Sequence, residues 1–441
     1  MKIQNAIYNF LSKKHDTPAN CGISESKASA EMKRISGSYD MFCGKAPWVK
    51  GGKSSLNLAA SIVSELSRLT LTEFSLNYGK APQNIGIKKA FDGFEKRIRQ
   101  SVEAACAVGG VMFKPCFDGK DLGIETILPF NFIPLGYDAN GNVNECAFIY
   151  RTVCGGKKFI RIEEHTKNKG KYVITNKAFA DDGALVPCPL NTVSQWRNIS
   201  PYCEIEGLNV PLFSYFCIPG SNFGEESGNF GIPVFRQAEE LIKEADKQFE
   251  RLVWEFEGGE LAIDASEDAF RTGKDGKPRL PIGKERLYRT NALDACCSSN
   301  ELLKVFSPAL RDKSLINGLN RIIMLIEDAC GIARGTFSDP SEEAKTATEV
   351  RASKQRTYST VCSIQNALED AIYSLLEAVN AISHLYGLSS QSCSFSVYMG
   401  DGVLNDEESV KQSEREDVKL GILSPDEFKD RWYGDITGGK K

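Results

Sequence analysis

Apolar residues between positions 346 and 385 repeat at the spacing of one continuous helix face. The stripe consists of Val350, Val361, Ile364, Leu368, Ile372, Leu375, Val379 and Ile382. Thr346 and Glu349 have the spacing of a capping box, in which each side chain accepts the other residue's backbone N–H, and they mark the predicted start. A helix of about 40 residues is roughly 60 Å long. This length exceeds what a compact domain needs and predicts an extended architecture.

A shorter helix and a polar loop precede the long helix. Apolar residues from Lys313 to Cys330 again follow helical spacing, and Gly331 and Gly335 end that helix. The following residues, 333–344, contain Pro340 and a cluster of small polar and charged residues. Such a composition predicts a solvated, flexible loop between the two helices.

A third amphipathic helix is predicted from Val234 to Glu257, with Pro233 in its first turn and Gly258-Gly259 after it. Between this helix and the one at Lys313, three short β runs are predicted at 261–264, 286–290 and 302–306. The chain therefore runs out along one helix, through a small β module, and back along another. We call the two helices the stalk and the β module the tip.

The N-terminal half mixes helices with strands. Ser54 and Ser55 are predicted to cap a helix that carries Leu58 to Leu69, and a single helix is predicted from Ile85 to Val108. Five β runs then predict an antiparallel meander with one face partly covered: 111–117, 123–128, 144–153, 158–165 and 171–179. A strand at 393–399 and an acidic amphipathic tail follow the long helix. The fold class predicted from these patterns is α+β.

Composition excludes several classes of protein. The chain has 54 basic and 58 acidic residues, a net charge of −4, so bulk attraction to nucleic acid or to an anionic membrane is not indicated. The 14 cysteines are scattered without a C-x-x-C pair, and several lie in apolar runs, which predicts buried thiols in a reducing compartment. No apolar run reaches about 18 residues, so no membrane span is predicted.

Residues that carry catalysis or bind metals occur without their usual context. The 3 histidines, His15, His165 and His384, are predicted to be solvated or part of the core. The stretch from Gly51 to Ser55 lacks the first glycine and the preceding strand of a phosphate loop, so it is predicted to lead into a helix. The alternating polar residues from Asp138 to Asn144 lack the last glutamate of a calcium loop and predict a hairpin turn.

Two basic clusters remain as candidate contact surfaces. One lies where the loop enters the long helix, at Lys345, Arg351, Lys354 and Arg356. The other lies in the tip, at Arg271, Lys274, Lys277, Arg279, Lys284, Arg286 and Arg289. Such clusters are usually solvated faces, and contact with nucleic acid or a partner is the alternative.

Four stretches of this sequence, in this order, resemble portal proteins of tailed bacteriophages, especially the short-chain branch of phages and prophages of Gram-positive bacteria. They are Asn229–Asp246, Leu303–Arg311, Gly331–Ser338 and Lys345–Val350. The last stretch, Lys345-Thr-Ala-Thr-Glu-Val350, is the most specific because it follows the glycine-bounded loop. The resemblance in order and spacing covers most of the chain.

The resemblance implies a homo-dodecameric ring at one capsid vertex, through which double-stranded DNA passes without sequence specificity during packaging and ejection. It implies no enzymatic activity, no cofactor, no metal and no membrane contact. The implied partners are the terminase large subunit, the major capsid and scaffold proteins and the head–tail adaptor. The implied location is the virion, after assembly in the host cytoplasm.

The resemblance also implies a portal-type division of the chain. Residues 1–230 form a wing, 231–257 and 311–332 the two stem helices, and 258–310 the clip. Residues 333–345 form the tunnel loop, 346–400 the long wing helix with its returning strand, and 401–441 a reduced crown.

Single residues receive roles only through the resemblance. The tunnel loop is implied to face DNA through Arg334, Thr336, Phe337, Ser338, Asp339, Glu342, Glu343 and Lys345. The stem is implied to contribute Lys313, Asn317 and Asn320. The clip is implied to dock partners through Arg271, Lys274, Lys277, Arg279, Lys284 and Arg286.

Two alternatives stay open at this point. One is another structural ring of the virion, such as a neck or capsid component, which fits the composition but not the order of stalk and tip. The other is an intracellular nucleotide-dependent enzyme that uses Lys53-Ser54 or the carboxylate pair Glu163-Glu164.

Overall fold

The computed structural model describes most of the chain. The described residues are 7, 10–11, 25–49, 54–78, 84–220, 230–266, 287–291, 303–340, 347–388, 392–400, 407–421, 424–425 and 428. The helices are α1 Glu25–Phe42, α2 Leu58–Thr70, α3 Ile85–Glu95, α4 Ile98–Val108, α5 Glu239–Gly258, α6 Asp312–Ala329, α7 Ala347–Leu385 and α8 Glu407–Lys419. None of these helices combines the length and the apolar composition that crossing a bilayer requires.

The strands of the described residues form four sheets. They are β1 Ser75–Asn77, β2 Gly110–Phe117, β3 Leu122–Ile127, β4 Phe132–Tyr137, β5 Val143–Cys154, β6 Lys157–Asn168, β7 Lys171–Asp181, β8 Leu185–Cys188, β9 Tyr202–Ile205, β10 Ser214–Cys217, β11 Ala262–Ser266, β12 Tyr288–Asn291, β13 Leu303–Phe306 and β14 Ser396–Tyr398. The fold is mixed α+β, as the sequence predicts.

The main core forms where α2, α3, α4 and α7 pack around the sheet β10-β2-β3. Leu66, Val102, Phe113, Phe216 and Leu368, from five different elements, are fully buried there. Burial of each such side chain stabilises the fold by roughly 1.5–3 kcal/mol relative to leaving it exposed. The amphipathic patterns of the N-terminal helices and of α7 therefore meet in one core.

Two details of this region differ from the prediction. The single helix expected over 85–108 is broken at Arg97, whose backbone N–H donates to the Phe94 carbonyl and whose guanidinium donates to the Ile124 carbonyl of β3. The change of direction lets both halves bury their apolar faces. Ser54 and Ser55 do not cap α2, since Asn57, in the left-handed region at φ 52°, directly precedes it without a side-chain cap.

The predicted meander is divided between two sheets. Strand β2 pairs with β3 on one side and with β10 on the other, whereas β4 to β8 form a second sheet in sequence order, with β9 also paired to β7. Ile7 and Leu11 of the N-terminal segment pack on one face of this sheet, and Phe148 and Tyr172 on the other face belong to the main core. Both faces are therefore partly covered, which corrects the expectation of one.

The hairpin turn predicted between β4 and β5 is confirmed. The Asp138 carboxylate accepts the backbone N–H groups of Asn140 at 2.9 Å and Asn142 at 2.8 Å. Gly141 adopts φ 84°, a conformation that glycine reaches without steric cost. The carboxylate is thus used to close the turn, in the manner of an Asx turn.

The two helices of the stalk and the small sheet of the tip are present, but α5 starts at Glu239, five residues later than predicted, so Pro233 does not lie in its first turn. Helices α5 and α6 pack on each other along the stalk. At the tip, β11 pairs in parallel with β12 and antiparallel with β13. The long helix α7 has 39 residues, close to the predicted length. Thr346, the first residue of its predicted capping box, lies outside the described residues. Strand β14 returns to pair with β1.

Glu255 near the end of α5 closes the stalk where it meets the tip. Its carboxylate accepts hydrogen bonds from the Arg311 backbone N–H at 3.0 Å and from Arg311 Nη2 at 2.6 Å. Hydrogen bonds from Arg311 lower the pKa of Glu255 to about 2. This contact places the end of α5 beside the start of α6, so the two stalk helices run antiparallel.

Asp246 of α5 ties the stalk to the N-terminal helices. Its carboxylate, only 4% exposed, accepts hydrogen bonds from Trp48 Nε1 at 2.8 Å, Ser55 Oγ at 2.9 Å and the Leu56 N–H at 2.9 Å. These donors come from the segment that connects α1 and α2. Ser55 therefore acts in this joint and not as a helix cap.

We predict that Asp246→Ala lowers the free energy of unfolding by about 2–4 kcal/mol, because three half-buried donors lose a charged acceptor. The measurement is the midpoint of urea unfolding. Glu244→Ala is the matched control: Glu244 lies on the same helix and pairs with Lys247 at the surface, so we expect a change within about 0.5 kcal/mol. Equal effects of both substitutions would contradict a special role for Asp246.

We predict that the stability difference between the wild type and Glu255→Gln depends on pH. The folded pKa of about 2 lies below the ordinary value of 4.5, so the stabilisation is complete above pH 4.5. It should decline as the pH falls from 4.5 towards 2, where Glu255 becomes protonated in the folded state as well. Urea unfolding of both proteins between neutral and acidic pH measures this difference. A difference that grows on acidification would contradict the assignment.

Candidate functional site

Residues 331–339, which we call the loop root, lead from α6 towards α7. Helix α6 ends in a Schellman motif: the Ile332 N–H donates to the Glu327 carbonyl at 2.8 Å, and the Gly331 N–H donates to the Asp328 carbonyl at 3.3 Å. Gly331 has φ 68°, and a Cβ atom there would lie 2.3 Å from Thr360 Oγ1. Both the turn and the neighbouring helix therefore require glycine at this position.

The carboxylate of Glu327 anchors the loop root from the inside. Glu327 is fully buried. Its Oε1 accepts the backbone N–H groups of Phe337 at 2.6 Å and Ser338 at 2.9 Å. Its Oε2 accepts Ser338 Oγ–H at 2.7 Å and the Gly335 N–H at 3.2 Å. All four donors belong to the loop root, so one side chain of α6 holds the chain that follows it.

The neighbouring carboxylate, Asp328, holds the loop root from the outside. Arg334 donates to it through Nε at 3.1 Å and through Nη2, and Arg356 of α7 donates through Nη1 at 2.7 Å. The hydrogen bonds from Arg334, together with the charges of both arginines, lower the pKa of Asp328. Asp328 therefore stays ionised and joins α6, the loop root and α7.

Helix α7 also contributes two threonines to this junction. Thr357 Oγ1 accepts the Ala333 N–H at 2.7 Å, and Thr360 Oγ1 donates to the Gly331 carbonyl at 3.0 Å. On the other side, Asn320 of α6 accepts the Asp339 N–H at 2.8 Å and donates to the Asp339 carbonyl at 3.1 Å. The loop root is thus bonded at both ends.

These contacts correct the expectation of a solvated, flexible loop for residues 333–339. Arg334, Thr336 and Asp339 are exposed, but Phe337 is half-buried and Ser338 is only 4% exposed. The polar groups of residues 333–339 form hydrogen bonds to α6 and α7, so the polar composition of this segment does not indicate a solvated loop. Glu342, Glu343 and Lys345, which the resemblance also assigns to the channel, lie outside the described residues.

The other predicted site residues fall into two groups. Of the three stalk residues, Lys313 and Asn317 are exposed, whereas Asn320 is half-buried and holds Asp339. The six basic residues that the resemblance assigns to partner docking lie outside the described residues: Arg271, Lys274, Lys277, Arg279, Lys284 and Arg286. Their roles stay predictions.

Sequence reasoning missed Glu327, Asp328, Thr357 and Thr360. A signal existed for one of them. Glu327 follows Ile323 by four positions and therefore lies on the apolar face of α6. A carboxylate on a buried helix face needs hydrogen-bond donors, and the loop was the nearest unassigned source of them.

The carboxylate pair considered for an enzyme is part of the core. Glu163 bonds Lys114 at 2.6 Å, Arg161 at 2.6 Å and His165 at 2.9 Å, and all four side chains are enclosed. Burial opposes ionisation of Glu163, but the Lys114 charge and the other two partners hold its pKa well below the usual range. His165 is only 2% exposed, which confirms a core role for this histidine, and burial lowers its pKa.

The described residues also give no support to the other candidate catalytic, phosphate-binding or metal-binding sites. Glu164 is 1% exposed. Ser55, the last residue of the glycine-rich stretch, is bonded to Asp246, and Lys53 lies outside the described residues. Within the described ranges, no three Asp, Glu, His or Cys side chains are grouped so that they could hold a metal ion. The described cysteines carry free thiols. Of the five predicted to be buried, Cys106, Cys146 and Cys330 are buried, whereas Cys217 and Cys362 are only half-buried.

Comparison with protein-family models gives a match over most of the chain. The family model described as "Phage portal protein, SPP1 Gp6-like" matches residues 53–392. The matched range includes α2, the stalk, the loop root and α7. No curated protein matches the chain.

We predict that Glu327→Gln releases the loop root without unfolding α6. The glutamine amide has one acceptor oxygen, so it cannot replace both carboxylate oxygens that accept hydrogen bonds in the wild type. Hydrogen exchange of the Phe337 and Ser338 amides should accelerate about tenfold or more, since hydrogen bonds to a charged group contribute about 1.5–3 kcal/mol. Hydrogen exchange followed by mass spectrometry measures the effect. Glu377→Gln, at an exposed position of α7, is the control and should change nothing. Unchanged protection in Glu327→Gln would show that the loop root is held by other contacts.

Proposed function

The chain belongs to the SPP1 Gp6-like family of phage portal proteins, and we propose that its loop root lies at the channel of the assembled ring. A portal protein is a structural, non-enzymatic component of the virion, and its ring is the passage for DNA during packaging and ejection. It assembles with itself and interacts with DNA and the capsid. The family assignment carries this conclusion and sets aside the alternatives of an enzyme or another virion ring.

In this proposal the regions of the chain take the parts of a portal subunit. The stalk, 231–257 and 311–332, is the stem, and the tip, 258–310, is the clip. Residues 1–230 and 346–400 form the wing, 333–345 the tunnel loop, and 401–441 a reduced crown. The antiparallel pair α5 and α6, with a separate small sheet at its end, supports this division.

Exposed apolar side chains support a ring of identical subunits. They are concentrated where the stalk meets the tip, at Trp254, Phe256, Leu261, Val305, Phe306, Leu310 and Ile316. Trp254 is 64% exposed and Val305 is 62% exposed. Exposed apolar side chains concentrated in one region are typical of protein interfaces. In a closed ring, each subunit covers one face of its neighbour through a heterologous contact, and we propose a homo-dodecamer.

The charges of the loop root suit a passage through which DNA must slide. Each lysine or arginine held on a phosphate adds a salt-dependent attraction. Arg334 and Arg356 are already paired with Asp328, and the whole chain carries a net charge of −4. We therefore expect weak attraction to double-stranded DNA, without sequence specificity.

The specific partners follow from the same assignment of parts. The terminase large subunit and later the head–tail adaptor would dock on the tip, where the sequence places six basic residues: Arg271, Lys274, Lys277, Arg279, Lys284 and Arg286. The major capsid and scaffold proteins would contact the wing.

We predict that a loop shortened by residues 341–344, or the substitution Lys345→Ala, leaves ring assembly intact and reduces packaged DNA severalfold. Deletion beyond residue 340 retains the donors that satisfy Glu327, so the stalk should fold normally. Sedimentation measures assembly, and nuclease-protected DNA in reconstituted heads measures packaging. Normal packaging by the shortened ring would contradict a channel role for this loop.

A further inference from the structure

Two arginines from different elements converge on one carboxylate beside the loop root. Arg334 comes from the loop root and Arg356 from the first part of α7, and both bond Asp328. The Arg334 Nε atom lies 3.1 Å from both carboxylate oxygens, and the Arg356 Nη1 atom lies 2.7 Å from Oδ1. The two guanidinium groups are therefore neighbours, and Asp328 lies between them.

Both guanidinium groups keep donors that Asp328 does not use. Among the described residues, Arg334 donates only through Nε and Nη2, and Arg356 only through Nη1. The arginine side chains are 48% and 55% exposed, whereas Asp328 is 24% exposed. Solvent therefore reaches the outer edges of the two forks more easily than the carboxylate.

The two arginine charges are equal in number to the nearby carboxylate charges, but the arginines are more exposed to an approaching ligand. Two guanidinium groups stand against the carboxylates of Asp328 and Glu327, and Glu327 is buried with its four donors in the loop root. At the surface, an approaching ligand meets two cationic forks and one partly covered anion. Guanidinium forks match the geometry of phosphate oxygens and can bind them through paired hydrogen bonds.

We propose that Arg334 and Arg356 form a two-armed site for a phosphodiester group of DNA, and that Asp328 occupies this site between contacts. This inference rests on the proposed function, since it requires the loop root to face the channel. A passing phosphate must compete with a carboxylate that is already in place. The competition keeps each contact weak and brief, so DNA meets arginine donors without being held by them.

Removal of the competing negative charge of Asp328 should strengthen the binding of DNA phosphate to the two arginines. We expect the assembled ring with Asp328→Asn to bind short duplex DNA more tightly than the wild type at low salt. Each released arginine that reaches a phosphate should steepen the slope of log affinity against log salt by about 0.9, which is a further loss of about three- to fourfold between about 50 and 200 mM salt. Fluorescence anisotropy of labelled duplex DNA over a salt series measures both quantities.

Two further variants separate released arginines from other effects. Asp328→Asn combined with Arg334→Gln and Arg356→Gln should return the slope to the wild-type value or below it, because the donors are absent. Asp339→Asn removes the same charge from the exposed end of the loop root, where Asp339 contacts Asn320 through its backbone. Since it frees no arginine, its slope should stay close to that of the wild type.

The proposal is overturned if Asp328→Asn leaves affinity and slope unchanged, if Asp339→Asn steepens the slope equally, or if the triple variant keeps the increase. Arg356→Gln alone gives an independent test, because the Arg334–Asp328 pair should keep the loop root folded. It should make the slope shallower than in the wild type, and an unchanged slope counts against the site.

Failure of this inference is distinguishable from failure of the proposed function. A chain that forms no ring, or a shortened loop that packages DNA normally, contradicts the channel role itself. A ring that needs its loop for packaging, but binds DNA with the same affinity and the same salt slope after Asp328→Asn, rejects the phosphate site alone and leaves the channel role in place.

Discussion

The buried carboxylate of Glu327 is the contact on which the rest of the loop root depends. A carboxylate near the C-terminal end of a helix lies at the negative end of the helix dipole, and burial adds a further cost. Four hydrogen bonds from Gly335, Phe337 and Ser338 compensate for this cost. Because the donors lie close together in the loop, satisfying the charge also fixes the path of the chain, which brings Arg334 beside Asp328.

The same contact bonds the loop root directly to the stalk helix α6. The end of α5 is joined to the start of α6 through Glu255 and Arg311, and α6 is joined to the loop root through Glu327. Thr357 and Thr360 then connect the loop root to α7. The end of α5, α6, the loop root and α7 are therefore linked in series by direct hydrogen bonds.

The sequence predicted those features that depend on local pattern. The apolar stripes located the stalk helices and α7, and alternation located β5, β6 and β7, which are three of the six strands of the larger sheet. The pairing of β2 with β10 joins residues about a hundred positions apart, and no local pattern specifies it. The loop root was predicted to be flexible because its polar residues resemble a solvated turn, whereas Glu327 and Thr357 satisfy them from other elements.

The most direct test of this account is a cryo-electron microscopy structure of the assembled protein. The account predicts a ring in which the Glu327 carboxylate stays within hydrogen-bonding distance of the Phe337 and Ser338 amides. It also predicts that the edges of Arg334 and Arg356 that are free of Asp328 face the central channel. A ring in which the loop root has left Glu327, or lies on the outer surface away from the channel, would contradict it.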